Sequence, residues 1–127
     1  MRLHRAMIYV KDLPRMREFY SQMLGIKPAN EKWTGEWAEF DTGSARFALH
    51  AIPAYIARQI EISSPPQARE KDPVKLTFEV DDVEAERRRL ASLGATMVQR
   101  PWGSWDGIDP EGNVFGIVDA ERLRLGE

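Results

Sequence analysis

The chain of 127 residues contains no cysteine. Disulfides and thiolate chemistry are therefore excluded, and the absence fits a reducing compartment. An excess of one charge is missing too: Lys+Arg 18 stand against Asp+Glu 20, a formal net charge of -2. That balance leaves no electrostatic footprint for nucleic acid or an acidic membrane. No apolar run is long enough for a signal peptide or a spanning helix, so the expectation is a soluble cytoplasmic protein. The length suits one domain with a core that needs no covalent staples.

What is present is a repeat. "VKDLPRMREFYSQMLG" at Val10–Gly25 and "VDDVEAERRRLASLG" at Val80–Gly94 follow one plan: strand end, acid, amphipathic run, Leu-Gly. A shift of 70 lays Ala6 on Leu76, Ile8 on Phe78, Val10 on Val80 and Asp12 on Asp82. A shift of 68 lays Trp37 on Trp105, Asp41 on Asp109, Phe47 on Phe115 and Leu49 on Ile117. Order is preserved, and the matched Asp, Gly and Trp residues are not interchangeable aliphatics. The chain therefore reads as one domain of two modules, about 1–52 and 74–120, joined by a linker over 53–73.

Each module reads as strand, helix, then three strands. Residues 3–10 alternate, with Ala6, Ile8 and Val10 on one face and Arg5, Met7 and Tyr9 on the other. Asp12 and Asp82 are helix N-caps, and Pro14 fits a first turn. Met16, Phe19, Tyr20, Met23 and Leu24 form one helical stripe, with Leu90 and Leu93 in the second module. Gly25 suits a left-handed C-terminal cap. Arg87, Arg88 and Arg89 follow acids on the same helix, which reads as a solvated face rather than a nucleic-acid patch. "EWAEFD" and "ARFALHAI" flank the hairpin turn "TGS", and "DPEGN" at 109–113 turns into the strand "VFGIVDA". A short helical piece is expected around Tyr55–Ile62.

Two strand-helix-three-strand units, "V-x-D-L/V" entering each helix and "DPEGNVFGIVD" closing the second, resemble the vicinal oxygen chelate superfamily. That group includes glyoxalase I, extradiol dioxygenases and bleomycin-resistance proteins. The resemblance covers nearly the whole chain. It implies an α+β fold of two βαβββ modules forming curled mixed sheets around an open cavity, and a homodimer. Family enzymes carry metal ligands on the first and last strands of each module, usually His and then Glu. Here the first-strand positions fall on Arg5 and Lys75, and the last-strand positions on Gly116 and on Ala48, or on His50 if the register slips by two. Protonated Arg and Lys offer a metal no lone pair, and Gly and Ala offer no donor. His4 is one residue off, which turns it to the opposite strand face unless a bulge intervenes. No metal and no other cofactor is therefore expected.

Strand parity gathers Arg5, Met7, Tyr9, Lys75, Thr77 and Glu79 on the cavity faces, joined by Ala48, His50, Gly116 and Val118. Trp37 and Trp105 are repeat mates that could wall the cavity, with Trp33 and Trp102 nearby in sequence. The candidate ligand-binding set is thus Arg5, Met7, Tyr9, Trp37, His50, Lys75, Glu79 and Trp105. Arg5 and Lys75 read as ligands for an anionic or carbonyl-bearing small molecule, as partners of Glu79 or Glu39, or as groups that reach solvent at the cavity mouth. The tryptophans read as ligand walls or as core and interface residues, and His50 as a hydrogen-bonded pocket histidine or a base. The leading function is metal-independent binding of a small organic molecule. The alternatives are a lyase, isomerase or dioxygenase with an atypical metal set around His50, and an interaction module acting through its surface.

Overall fold

The computed structural model describes residues 1–29 and 35–124, so Trp33 lies outside it. The chain divides into two compact units between Ile62 and Ser63. Each holds a four-stranded mixed sheet, and the two sheets have the same strand order.

The first unit runs β1 (Arg5–Val10), α1 (Leu13–Glu18), β2 (Lys27–Pro28), β3 (Trp37–Asp41), β4 (Arg46–Ala51) and the short α2 (Ala54–Ala57). The second runs β5 (Leu76–Glu79), α3 (Val83–Ser92), β6 (Thr96–Gln99), β7 (Trp105–Ile108), β8 (Val114–Val118) and α4 (Ala120–Arg124). The sheet orders are β1-β4-β3-β2 and β5-β8-β7-β6. In each, the first strand lies parallel to the last, and the remaining pairs are antiparallel. Ala6 stands beside Phe47 and Leu76 beside Phe115, so the shifts of 70 and 68 hold for the first and last strands.

The repeated acid does the same work twice. Asp12 accepts from the Arg15 amide at 3.2 Å, and Asp82 from the Ala85 amide at 3.0 Å. Each bond satisfies one of the donors that a helix start leaves open. At the other ends Gly25 and Gly94 take φ of 72° and 95°, the left-handed region in which a Cβ is strained. The first helix departs from a plain α-stripe: after Glu18 the chain makes a π-helical turn over Phe19–Met23. The wider turn lets the consecutive Phe19 and Tyr20 both be buried, their rings edge-on at 5.1 Å. Tyr20 then meets Phe47 of β4 at 4.9 Å, and Phe47 stacks on Phe40 of β3. These rings, with Leu13, Met16 and Leu49, are the first core; Val83, Leu90, Phe115 and Ile117 anchor the second.

The segment between the modules is more than a connection. Only Ala54–Ala57 is helical, shorter than the piece expected around Tyr55–Ile62, and Lys11 Nζ donates to the Ile60 carbonyl. Beyond Ile62 the chain belongs to the second unit. The Arg69 amide donates to the Gly112 carbonyl at 2.8 Å, which ties the segment to the "DPEGN" turn. That turn is built on Asp109, 1 % exposed, whose Oδ1 accepts from the amides of Glu111 and Asn113 at 2.9 Å.

Two substitutions probe these features. A Cβ on Gly107 would lie 2.2 Å from the ring of Phe115, which is itself 1 % exposed and has nowhere to move. Gly107→Ala is expected to destabilise the protein by about 1–3 kcal/mol in urea unfolding. Asp119 accepts from the Arg122 and Val83 amides, each at 3.0 Å, and so caps the starts of α4 and α3 together. These bonds, Arg122's first, hold its carboxyl below the usual range. A lowered carboxyl stabilises the fold above its unfolded-state pKa, and that stabilisation fades as pH falls through the folded-state value. Asp119→Ala should therefore be less stable than wild type near neutrality. The gap should close in acid, below the ordinary carboxylate range, when unfolding is followed across a pH series.

Candidate functional site

Alternation gives each sheet one face toward its helix and one open face. In the first unit the open face carries Arg5, Met7 and Tyr9 from β1, then Arg46, Ala48 and His50 from β4. Trp37, Glu39 and Asp41 complete it from β3. The structure brings four of the expected residues together here. Arg5 Nε donates to Glu39 Oε1 at 2.7 Å, and its guanidinium carbon lies 5.1 Å from the Trp37 ring centre. His50 packs against Trp37 at 5.7 Å and against Tyr9 at 5.6 Å. His50 Nδ1 is 2.9 Å from the Ala51 carbonyl oxygen. A carbonyl only accepts, so in this bond Nδ1 is the donor, and Nε2 is not committed to it. Met7 is exposed beside this cluster. His4 is exposed just before β1, and its backbone carbonyl accepts from the Arg46 amide at 2.8 Å.

In the second unit the corresponding open face carries Thr77 and Glu79 from β5, Val114, Gly116 and Val118 from β8, and Asp106 from β7. Lys75 immediately precedes β5 and reaches Asp106, with Nζ 2.8 Å from Oδ1. Arg100 Nε donates to Asp106 Oδ2 at 2.7 Å, and its Nη2 donates to Glu70 Oε1 at 2.9 Å. The Asp106 side chain is 3 % exposed, against 43 % for Lys75 and 19 % for Arg100. Hydrogen bonds to Asp106 and then Glu70 hold the Arg100 pKa above its usual value. The Lys75 contact is a close ion pair rather than an aligned hydrogen bond, since Oδ1 has no hydrogen-bond donor among the described residues. Glu79 is exposed at the far end of β5.

The two ion pairs are repeats of one another. Arg5 and Lys75 are mates at a shift of 70. Glu39 lies opposite Ala48, and Asp106 lies opposite Gly116, the mate of Ala48 at a shift of 68. Each module thus pairs a cation at the start of its first strand with an acid on its third. Of the partners expected for the two cations, Glu39 does take Arg5. Lys75 takes neither Glu79 nor Glu39, but Asp106.

Trp105 is a correction. Its register partner is Ile117, so it shares the helix-covered face. Its Nε1 donates to Glu84 of α3 at 3.3 Å, and the Arg87 guanidinium lies 4.6 Å from its ring centre. The reason is one residue of loop. The first hairpin closes on the pair Asp41·Arg46, whereas the second closes on Ile108·Val114, with "DPEGN" between. That extra residue slides β7 by one position, and one position is the opposite face. Arg87 and Arg89 pair with Glu84 and Glu86, as expected of a solvated helix face.

Sequence reasoning missed Asp106, Arg100 and Glu70. The first follows from counting both hairpin loops. The other two lie in a segment read as linker and in a turn, where nothing in the local pattern announces a partner.

These residues do not fit a divalent metal. Among the described residues no three His, Asp or Glu side chains converge as ligands. A Cβ on Gly116 would lie 3.2 Å from Lys75 Cε and 3.4 Å from Asp106 Oδ1. The stem of Lys75 and the carboxylate of Asp106 thus crowd the space into which a carboxylate ligand at that position would project.

The two βαβββ units and their open sheet faces define the vicinal oxygen chelate class. More closely, the chain belongs to the glyoxalase-like domain family, whose profile matches residues 5–118. A protein of unknown function from Agrobacterium tumefaciens str. C58 is 25% identical, with 94% of each chain covered and a TM-score of 0.68. A glyoxalase/bleomycin resistance protein/dioxygenase family enzyme from Burkholderia phytofirmans PsJN is 24% identical, covering 94% of this chain and 98% of that one, with a TM-score of 0.67. Lactoylglutathione lyase from Agrobacterium tumefaciens is 21% identical over 94% of each chain, with a TM-score of 0.65. The likeness to the last two is one of fold. No curated protein matches the chain in sequence.

Removing one member of the second ion pair gives unequal results. Asp106→Asn leaves two cations beside a neutral amide, and is expected to cost about 2–3 kcal/mol, less than a fully buried pair because Lys75 reaches solvent. Lys75→Met keeps the stem over Gly116 and leaves Asp106 with Arg100, and should cost about 0–1 kcal/mol. Urea unfolding of the two variants checks the order.

Proposed function

We propose that this glyoxalase-like protein binds a small organic molecule on its open sheet faces, without a divalent metal. One observation carries the reading: at the start of each module's first strand stands a cation already engaged by an acid of the same sheet, Arg5 with Glu39 and Lys75 with Asp106. Such a pair provides hydrogen-bond donors where the enzymes it resembles provide imidazole donors.

The first unit supplies the rest of a binding surface. Trp37 and Tyr9 offer ring faces, His50 offers Nε2 as a second hydrogen-bonding atom, and the Arg5 guanidinium has donors beyond the one committed to Glu39. A planar molecule with a carbonyl or carboxylate oxygen suits that combination: rings stack on its body while Arg5 donates to its oxygen.

The test combines metal analysis with thermal shift. A panel of aromatic carbonyl compounds and carboxylates should raise the unfolding temperature equally with and without EDTA. Trp37→Ala should weaken the strongest binder by about tenfold. A stoichiometric transition metal in the purified protein, lost on His50→Ala, would sink the proposal.

A further inference from the structure

In the second unit a cleft of about 240 Å³ opens between the segment 69–75, the loop carrying Arg100 and Trp102, and the face of β7 and β8. At roughly 30 Å³ per water its volume equals about eight water molecules, which suits a ligand of monosaccharide size better than a drug-sized one.

Its charges are balanced and internally committed. Three cations line it, Arg69, Lys75 and Arg100, and so do three acids, Glu70, Asp72 and Asp106. Arg69 pairs with Asp72 at 3.3 Å, Lys75 with Asp106, and Arg100 with both Asp106 and Glu70. An anionic guest on a cation's outer N–H groups would stand close to that cation's own carboxylate, and a cationic guest on a carboxylate close to its paired cation. The like charge alongside cancels much of the attraction, so the net gain is small. An uncharged guest meets no such cost. Its hydroxyls can accept from the N–H groups that Lys75 and Arg69 keep outside their pairs, and can donate to the open lone pairs of Glu70 and Asp72.

The cleft also has apolar walls. Trp102 is 69% exposed and Val74 is 65% exposed. An indole held at the rim of a polar cleft offers a flat face to C–H groups, while the charged floor offers alternating donors and acceptors. A molecule with hydroxyls on its edge and C–H groups on its face satisfies both.

We infer that this cleft takes an uncharged, polyhydroxylated ligand, of the chemical class of a monosaccharide or its glycoside. This rests on the reading that the open faces bind a small organic molecule, and it names the ligand class for the second unit.

The test titrates the intact protein with methyl hexosides, methyl pentosides and inositol by calorimetry, with benzoate and benzamidine as charged comparators. At least one polyol should bind, with an affinity unchanged between low and high salt, because no net charge is transferred. Trp102→Ala, at an exposed position, should weaken that binding by about tenfold, and Lys75→Met by about fivefold. Trp37→Ala, in the other unit, should leave it unchanged. Failure of every polyol to bind, or polyol binding indifferent to Trp102→Ala, overturns the inference. If aromatic carboxylates still bind in a Trp37-dependent manner, the proposed function survives that failure. If nothing binds to either unit, both readings fall together.

Discussion

Asp106 is the residue on which the second unit's open face depends. Taking a carboxylate out of water until it is 3 % exposed costs solvation, and here two cations offset that cost. Each comes from a different part of the chain. Lys75 arrives from the start of β5 and Arg100 from the turn before β7, and Arg100 also reaches Glu70 in the segment between the modules. One buried acid therefore fixes a strand, a loop and a segment that local sequence would leave loose. The first unit has the same pair in a milder form. Glu39 is more exposed and holds Arg5 alone among the described residues, so less follows from it.

Much of this was legible in the sequence, because a repeat carries two independent readings of the same element. Asp12 and Asp82 could be read as caps since each stood before an amphipathic run, and both do cap. Arg5 and Lys75 could be assigned to one kind of face because β1 and β5 are short, unbroken strands in which parity is preserved from end to end. The shift of 68 likewise placed Ala48 and Gly116 correctly on the last strands. Parity fails to transfer only where a loop changes length, and it did so once, between β7 and β8. The tryptophan match there paired two residues of one type that stand on opposite faces. Asp106, directly after Trp105, was the residue that inherited the open face.

Other features were not legible for a different reason. The partnership of Glu70 with Arg100 spans 30 residues, and neither residue has a local signal of its role. The π-helical turn at Phe19–Met23 depends on two adjacent aromatics both finding the core, a tertiary demand that no helical periodicity displays. Lys11 Nζ donating to the Ile60 carbonyl is of the same kind. Long-range polar pairs and local helix distortions are decided by packing, whereas caps, turns and strand faces are decided by neighbours in sequence.

The change of chemistry at the first strands also changes what the face can select for. A bound divalent ion would present a concentrated charge with open coordination positions, and would favour oxygens that carry negative charge. An ammonium or guanidinium engaged by a carboxylate presents directional donors whose field is largely cancelled at short range by its partner. Discrimination then passes from net charge to the pattern of donors and acceptors, and to the shape of the rings beside them. In the proposed sites Tyr9, Trp37 and His50 would provide that shape in the first unit, and Trp102 in the second. On the proposed reading the framework needs no ion, because the sheet has only to keep hydrogen-bonding groups and aromatic faces in fixed relation. On the strands that relation is set by register, and both modules place an acid of the third strand opposite a small residue of the last, Glu39 opposite Ala48 and Asp106 opposite Gly116.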